Sequence, residues 1–562
     1  MNTRYFPIVA SLFVLALGFT ANAQDWRQPM DHPIILSGNF GELRNNHFHS
    51  GIDFKTQGVE GKPIHAVQEG YVSRISVSPW GYGNGLYISH PDGTTSVYAH
   101  LQSFAPKIAA YVKEKQYEKE SFRVDLTLSP QELPVGRGET VALSGNTGSS
   151  GGPHLHFEIR DTETEEPLDP LEVYKPLIKD TKEPKILGVM VYPLEGMGAV
   201  NGSARKLKLT PTTAPNGKQT LTSNIEAWGE IGLAVSAYDY MDNTSNIYGV
   251  KEITLSVDSQ IVYHSDLTRF AFDETRYINS YVDYEEWKEH HSFFMKSFID
   301  PGCRLRFREG INRGILTINE ARTYHLTYCL KDAFGNTSQL SFQIVGKEQP
   351  IPEPDTEGTE LMLWRSDNRF GAKGIRLSIE KGNLYDDLRF RYSAEEDSSA
   401  LAAIHHLHNK PLALHRSARL CLRLQTDTLG NKQQYGVVRL MNGRKSWVGG
   451  TYRDGWVDAD IKEMGSYTLA QDTLPPTITP LNPATWTQKQ TITFRLTDNL
   501  SGVESYRGEI DGGFALFEMN SKSVVTYRFD KERLAKGKHT LKMVVTDACG
   551  NQAEYTCSFT RQ

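Results

Sequence analysis

Short runs of alternating apolar and polar residues, cut by glycine turns, recur along this chain and restrict it to a β-rich architecture. The first are Gly70-Tyr71-Val72-Ser73-Arg74-Ile75-Ser76-Val77, Gly85-Leu86-Tyr87-Ile88-Ser89-His90 and Thr95-Ser96-Val97-Tyr98-Ala99-His100. Period-two alternation turns one face of each run toward a core, and glycine lets the chain reverse between runs, so antiparallel strands are expected. One segment departs from this pattern. Residues 104–120, rich in Ala, Lys and Glu with apolar positions at helical spacing, predict a helix within an insertion spanning 103–133.

With 562 residues, and domains of roughly 150 residues each, three or four domains are expected, and an internal repeat marks two of them. Asp180-Thr181-Lys182-Glu183-Pro184-Lys185-Ile186 is matched by Asp472-Thr473-Leu474-Pro475-Pro476-Thr477-Ile478. Asp332-Ala333-Phe334-Gly335-Asn336 is matched by Asp547-Ala548-Cys549-Gly550-Asn551, each followed by an alternating strand. The unit 472–562 suits an immunoglobulin-like β-sandwich. The unit 181–347 is longer, and its surplus includes an aromatic and charged stretch, 281–299, that is a helical candidate. Gln349-Pro350-Ile351-Pro352-Glu353-Pro354 forms a stiff linker into a β-rich segment, 355–471, whose pattern names no fold.

The chain opens with Arg4, an apolar run from Phe6 to Phe19 and Ala21-Asn22-Ala23, the pattern of a secretory signal peptide over 1–23. That run is shorter than the roughly 20 residues that cross a bilayer, and no later stretch is as apolar. Export to the periplasm or beyond is expected, with no membrane span after signal cleavage, and no Cys follows the signal to carry a lipoprotein anchor. A formal net charge of −6 offers no basic surface for nucleic acid or anionic lipid. Of five cysteines, Cys303 with Cys329 and Cys549 with Cys557 are conceivable pairs, although buried free thiols are the simpler expectation.

Three segments within 24–180 carry chemistry: His49-Ser50-Gly51-Ile52-Asp53, Tyr98-Ala99-His100-Leu101, and Gly151-Gly152-Pro153-His154-Leu155-His156-Phe157-Glu158. A strand turns residues i and i+2 to one face, roughly 6–7 Å apart, so His154 and His156 share one space. His49 and Asp53 have the spacing of a helical zinc motif, but Gly51 and the alternation of Ile52 with Phe54 describe a strand leaving a turn. Catalytic zinc takes three protein ligands and leaves a fourth position open. His49, Asp53 and His156 supply such a set, with His100 and His154 flanking the open position, where a base and a stabiliser are needed. His47 is wrongly spaced from Asp53 to be a ligand, and His90 reads as structural. The tract His405-His406-Leu407-His408 lacks acidic or thiol partners at ligand spacing and reads as surface.

Taken together, these segments resemble the lysostaphin-type (LytM-like) zinc endopeptidases. That family runs His-x-x-x-Asp, then Tyr-x-His-Leu, then Gly-Asn-Thr-Gly ahead of Gly-Pro-His-Leu-His-Phe-Glu. Here Ser144-Gly145-Asn146-Thr147-Gly148 precedes the histidine pair, and Trp80-Gly81-Tyr82-Gly83-Asn84-Gly85 and Leu168-Asp169-Pro170 also match. The resemblance covers about residues 39–175. It implies an N-terminal antiparallel β metallopeptidase domain of LytM type, which with the tandem immunoglobulin-like β-sandwich domains read from the repeat makes a mainly β chain. It also implies one Zn²⁺ per chain on His49, Asp53 and His156, His100 and His154 as catalytic histidines, and hydrolysis of peptide bonds in peptidoglycan cross-links or bridges. His154 as base with His100 as stabiliser is the favoured order, which the sequence does not distinguish. The insertion 103–133 exceeds the family's short link and bears on substrate access. The alternative is an inactive module of the same fold that binds cell wall or activates an amidase. Loss of a ligand would favour it, and none is lost.

Overall fold

The computed structural model describes residues 26–214, 219–396, 399–520 and 522–562; the expected signal peptide, 1–23, lies outside them. The N-terminal unit is built on a nine-stranded sheet. Its main strands are β1 (Leu36–Gly38), β2 (Ile52–Lys55), β3 (Gly70–Val77), β4 (Asn84–Ser89), β5 (Thr94–Ala99), β6 (Val124–Thr127) and β7 (His154–Asp161). They lie in the antiparallel order β1-β2-β7-β5-β4-β3-β6. The strand that arrives last in the sequence is thus inserted between β2 and β5. This brings the three chemistry-bearing segments side by side.

Alternation in β7 explains its place. Leu155, Phe157 and Ile159 are buried on one face, where Phe157 packs against Phe54, Tyr98 and Tyr174 with ring centroids 5.9, 5.3 and 5.9 Å apart. Truncating such a fully buried aromatic costs about 3–5 kcal/mol. The other face presents His154, His156, Glu158 and Arg160.

The insertion forms α1 (Pro106–Glu118), with Ile108, Val112 and Gln116 buried. Of the candidate stretch 281–299, Tyr284–His290 is helical, and Tyr281 ends the short helix Ile278–Tyr281 before it. The Asp283 carboxylate accepts from the Glu286 N–H at 3.0 Å and starts the helix, and His291 in the left-handed region (φ 53) ends it. The chain then returns so that Phe293 stacks on Trp287. All five cysteines are free. Cys549 sits in a turn, and Cys557 faces Leu541 in mid-hairpin, so neither conceivable pairing is formed.

The next unit carries β8 (Lys185–Val200), β9 (Glu226–Tyr240), β10 (Thr323–Lys331) and β11 (Thr337–Gly346) in a thirteen-stranded sheet. Its apolar core is continuous with that of the N-terminal sheet, running from Trp26 to Ile344. Residues 355–471 form six- and five-stranded sheets around a second core. The last unit has two four-stranded sheets over a third core, including β12 (Thr477–Pro480), β13 (Thr491–Thr497), β14 (Gly537–Asp547) and β15 (Gln552–Arg561).

Candidate metal centre and catalytic histidines

Register assembles the centre. His156 pairs with Asp53 of β2 on one side and with Ala99 of β5 on the other. A Cβ on Gly51 would lie 2.1 Å from the Phe157 carbonyl oxygen, so glycine is required for the chain carrying His49 to approach β7. His100 leaves β5 with φ 59. A non-glycine residue in this region costs roughly 1–3 kcal/mol and marks sites where the surroundings hold a strained geometry.

The His49 Nε2, Asp53 Oδ1 and His156 Nδ1 atoms converge. His49 Nε2 is 3.1 Å from Asp53 Oδ1 and 3.0 Å from His156 Nδ1, and His156 Nδ1 is 3.0 Å from Asp53 Oδ1. All three residues are buried. The far side of each imidazole is already bonded: His49 Nδ1 lies 2.7 Å from the Asn39 carbonyl, and His156 Nε2 lies 2.8 Å from Glu158 Oε1. Those acceptors assign the protons to the far nitrogens. Two imidazole lone pairs and a carboxylate oxygen then face one another. That is unfavourable unless a cation or an added proton sits among them, and the donor set suits zinc.

The charge balance points the same way. Burial works against protonation of His156, but the Asp53 and Glu158 carboxylates overcome it and push its pKa up to about 9. Burial holds His49 below its ordinary value despite Asp53. Burial opposes ionisation of Asp53 as well, but the two histidines keep its carboxyl well below the usual range.

His100 and His154 stand beside this cluster, ring centroids 4.7 Å apart. His154 Nε2 is 3.6 Å from Asp53 Oδ1. Each directs Nδ1 at a main-chain carbonyl, Thr147 for His100 and Gly152 for His154, both at 2.8 Å. Both Nε2 atoms are therefore assigned as acceptors. Burial, then the neighbouring histidines, hold His100 down to about 3.

The profile of peptidase family M23 matches residues 47–117, and that of the Zu5-like domain matches 359–472. The chain is 31% identical over 137 residues to the DD-carboxypeptidase/endopeptidase Mpg of Neisseria meningitidis, 24% of this chain and 25% of that protein. It is 30% identical over 131 residues to the peptidoglycan DD-endopeptidase ShyB of Vibrio cholerae, 23% of this chain and 24% of that protein. It is 33% identical over 135 residues to the murein hydrolase activator NlpD of Salmonella dublin, 24% of this chain and 28% of that protein. The N-terminal unit is an M23 peptidase domain. The chain spans about a quarter of the length of the curated relatives it matches.

Within this M23 domain the structure brings together all five residues singled out from sequence. His47 instead bonds the Asn45 carbonyl at 2.9 Å and is exposed. His90 is fixed between the Glu69 carbonyl and Ser96 Oγ, both at 2.8 Å. His405 and His406 bond Tyr392 and Ser466 respectively, and with His408 they form no ligand group among the described residues.

Sequence reasoning missed the residues behind the histidines. Glu158, fully buried, accepts from Ser50 Oγ at 2.6 Å, Tyr82 Oη at 2.6 Å and Arg160 Nε at 2.6 Å as well as from His156. Arg44 Nη2 donates to Asp53 Oδ2 at 3.0 Å and its Nε pairs with Glu42 Oε1 at 3.0 Å. Gly38 packs beneath, where a Cβ would stand 2.7 Å from both Arg44 Nη2 and Asp53 Oδ2. Glu158 and Arg160 carried a readable signal, since they continue the i, i+2 series of His154 and His156 on the polar face of β7.

Proposed function

We propose that this chain is an exported, zinc-dependent endopeptidase that hydrolyses peptide bonds of peptidoglycan, with His49, Asp53 and His156 holding the metal and His100 and His154 acting on the substrate. One observation carries the reading: three donor atoms with their lone pairs turned inward beside two further imidazoles whose Nε2 atoms accept. Zinc held there would supply a Lewis acid that polarises a scissile carbonyl and acidifies water.

The protein's own groups divide the remaining work. His154 Nε2 takes the proton of the attacking water, because its protonated form lies 3.6 Å from Asp53 Oδ1, and passes that proton to the leaving amine. His100 takes the remaining place beside the open position: with its Nδ1 on the Thr147 carbonyl, its Nε2 accepts from the attacking water and donates to the oxyanion only once protonated, so the stabilising role expected for it stays tied to that proton. The Asn39 carbonyl and the Glu158 carboxylate, the latter fixed by Arg160, keep the ligand imidazoles in their tautomers, while Arg44 fixes the carboxylate of Asp53.

A relative named as a murein hydrolase activator keeps the non-hydrolytic reading in view, and the complete donor set is what favours hydrolysis over it. Metal analysis of the purified protein and digestion of isolated peptidoglycan test the proposal together. About one zinc per chain and release of soluble fragments are expected, with both lost in His49→Ala, Asp53→Ala and His156→Ala. Full zinc occupancy without hydrolysis would favour the binding module, and full occupancy in any of those variants would remove that residue from the ligand set.

A further inference from the structure

The two repeated units each place three aspartates around one point. In the first, Asp180 stands six residues before Ile186 of β8, Asp239 two residues beyond Ala237 of β9, and Ile186 pairs with Ala237. In the last unit Asp472 stands six residues before Ile478 of β12, Asp498 two residues beyond Leu496 of β13, and Ile478 pairs with Leu496. Asp332 and Asp547 complete the trios from the turns that follow β10 and end β14. One oxygen of each of Asp180, Asp239 and Asp332 lies within 4.8 Å of the others, and the same holds for Asp472, Asp498 and Asp547. The same register thus builds the same cluster twice.

A cluster of acids alone does not define a site, but one of its oxygens is stranded. Asp239 is 1% exposed, and its Oδ1 has no hydrogen-bond partner among the described residues. Asp498 Oδ1 in the other trio is likewise enclosed and unpartnered. Burial first, and the charges of Asp332 and Asp180 with it, push the Asp239 carboxyl up to about 8. A buried carboxylate oxygen facing like charges is costly unless a cation or a shared proton meets it.

The third carboxylate of each trio is fixed in advance. Asp332 Oδ1 accepts from the N–H groups of Phe334 and Asn336, both at 2.8 Å. Asp547 Oδ1 accepts from those of Cys549 at 2.9 Å and Asn551 at 2.8 Å.

We propose that each trio binds one calcium ion. All the donors are carboxylate oxygens, which suit a hard cation, and three carboxylates in an irregular arrangement suit Ca²⁺ better than Mg²⁺, which keeps its waters and takes one or two carboxylates in strict octahedral geometry. Both sites lie where one unit hands over to the next. Asp180 follows directly on the peptidase domain. Asp472 donates its N–H to the Gln434 carbonyl at 2.9 Å, and Gln434 Nε2 donates to Asn551 Oδ1 at 2.6 Å, so the second trio adjoins the 355–471 unit. An ion at the second trio would fix the angle between the 355–471 unit and the last unit, whereas one at the first trio would brace the body that the peptidase domain already shares with the first repeated unit.

Equilibrium dialysis of the full chain, freed of calcium on a chelating resin and reloaded with zinc, against radiolabelled calcium up to roughly 1 mM, the weak end of extracellular calcium modules, decides the matter. Two ions per chain are expected, undisplaced by excess magnesium, falling to one in Asp239→Asn, one in Asp498→Asn and none in the double variant. A second readout separates binding from misfolding. Without calcium, Asp239→Asn should melt above the wild type because a repulsion is gone, and with calcium below it because the ion is lost. Should Asp239→Asn fail to fold, Asp180→Asn at the half-exposed position reports on the same site. No bound calcium in the wild type, or two ions retained in both single variants, would overturn the proposal and leave proton-sharing acid clusters.

Discussion

Replacing Glu158 by glutamine tests how the sheet holds its proposed metal-ligating face. The substitution keeps the shape but removes a charge that is fully buried and that accepts at once from His156, Arg160, Ser50 and Tyr82. Two separable losses follow. The first is in zinc affinity, because the His156 Nε2–H loses its carboxylate acceptor and with it the tautomer that turns Nδ1 inward; loss of such an outer partner costs about 10- to 100-fold, or roughly 1.4–2.7 kcal/mol. The second is in folding stability, because Arg160, 5% exposed, loses its buried counter-ion, a change worth about 3–5 kcal/mol. Arg160 keeps contacts to Glu165 Oε2 at 3.1 Å and Tyr82 Oη at 3.3 Å, which place the expected loss at the lower end, about 3 kcal/mol.

Urea unfolding of the metal-free protein reads the second loss, and competition with a chromophoric chelator reads the first. The double variant Glu158→Gln/Arg160→Met should recover most of the stability while keeping the weakened zinc affinity. Recovery of both would refute the reasoning, since the affinity loss would then come from a strained core and not from a misdirected imidazole.

His100→Ala and His154→Ala should retain zinc while turnover falls by about 10²- to 10⁴-fold, the usual contribution of a positioned acid or base; loss of metal in His154→Ala would mean that the ligand order on β7 is wrong. In the metal-free protein His156 contributes stability that is fully present below its unfolded pKa of about 6.5 and is lost as pH rises through about 9. Zinc replaces that proton, so urea midpoints should fall over this window only in the metal-free form, and equal slopes with and without zinc would contradict the site. Tyr117 of α1 packs edge-on to Phe514 and under the Arg533 guanidinium, so Tyr117→Ala should loosen the insertion from the last unit. The ratio of rates on intact peptidoglycan and on a small peptide should then change, and an unchanged ratio with metal retained would end the idea that this insertion controls access.

The β architecture and the five site residues were legible because their signals are local. Alternation along β7 announces a strand, and a strand announces that His154 and His156 share a face. The helix 106–118 was legible for the same reason, through its own periodicity. The stretch 281–299 was not, because its composition suits a helix while Asp283 and His291 confine it to one short segment. What lies behind the site was hidden wherever it depends on pairing across the sheet. Arg44 meets Asp53 only through the loop between β1 and β2, and no periodicity connects them.

The restraint on His49 shows why a domain boundary drawn from sequence does not bound the site. Its ring is held by the Asn39 carbonyl, and the Asn39 side chain is in turn clamped to Gly249, donating to its carbonyl and accepting from its N–H, both at 2.8 Å. The Phe48 N–H donates to Thr275 Oγ1 at 2.8 Å, and the Phe48 ring packs on Phe270, Tyr281 and Phe307. On the strand beside it, the Leu36 carbonyl accepts from Tyr248 Oη at 2.8 Å. A proposed ligand in the M23 domain is therefore positioned by residues of the following β unit, through a shared core that removes the usual freedom between neighbouring domains. The candidate site and the first repeated unit constitute one mechanical body, and that is the reason the long β extension bears on the proposed chemistry at all.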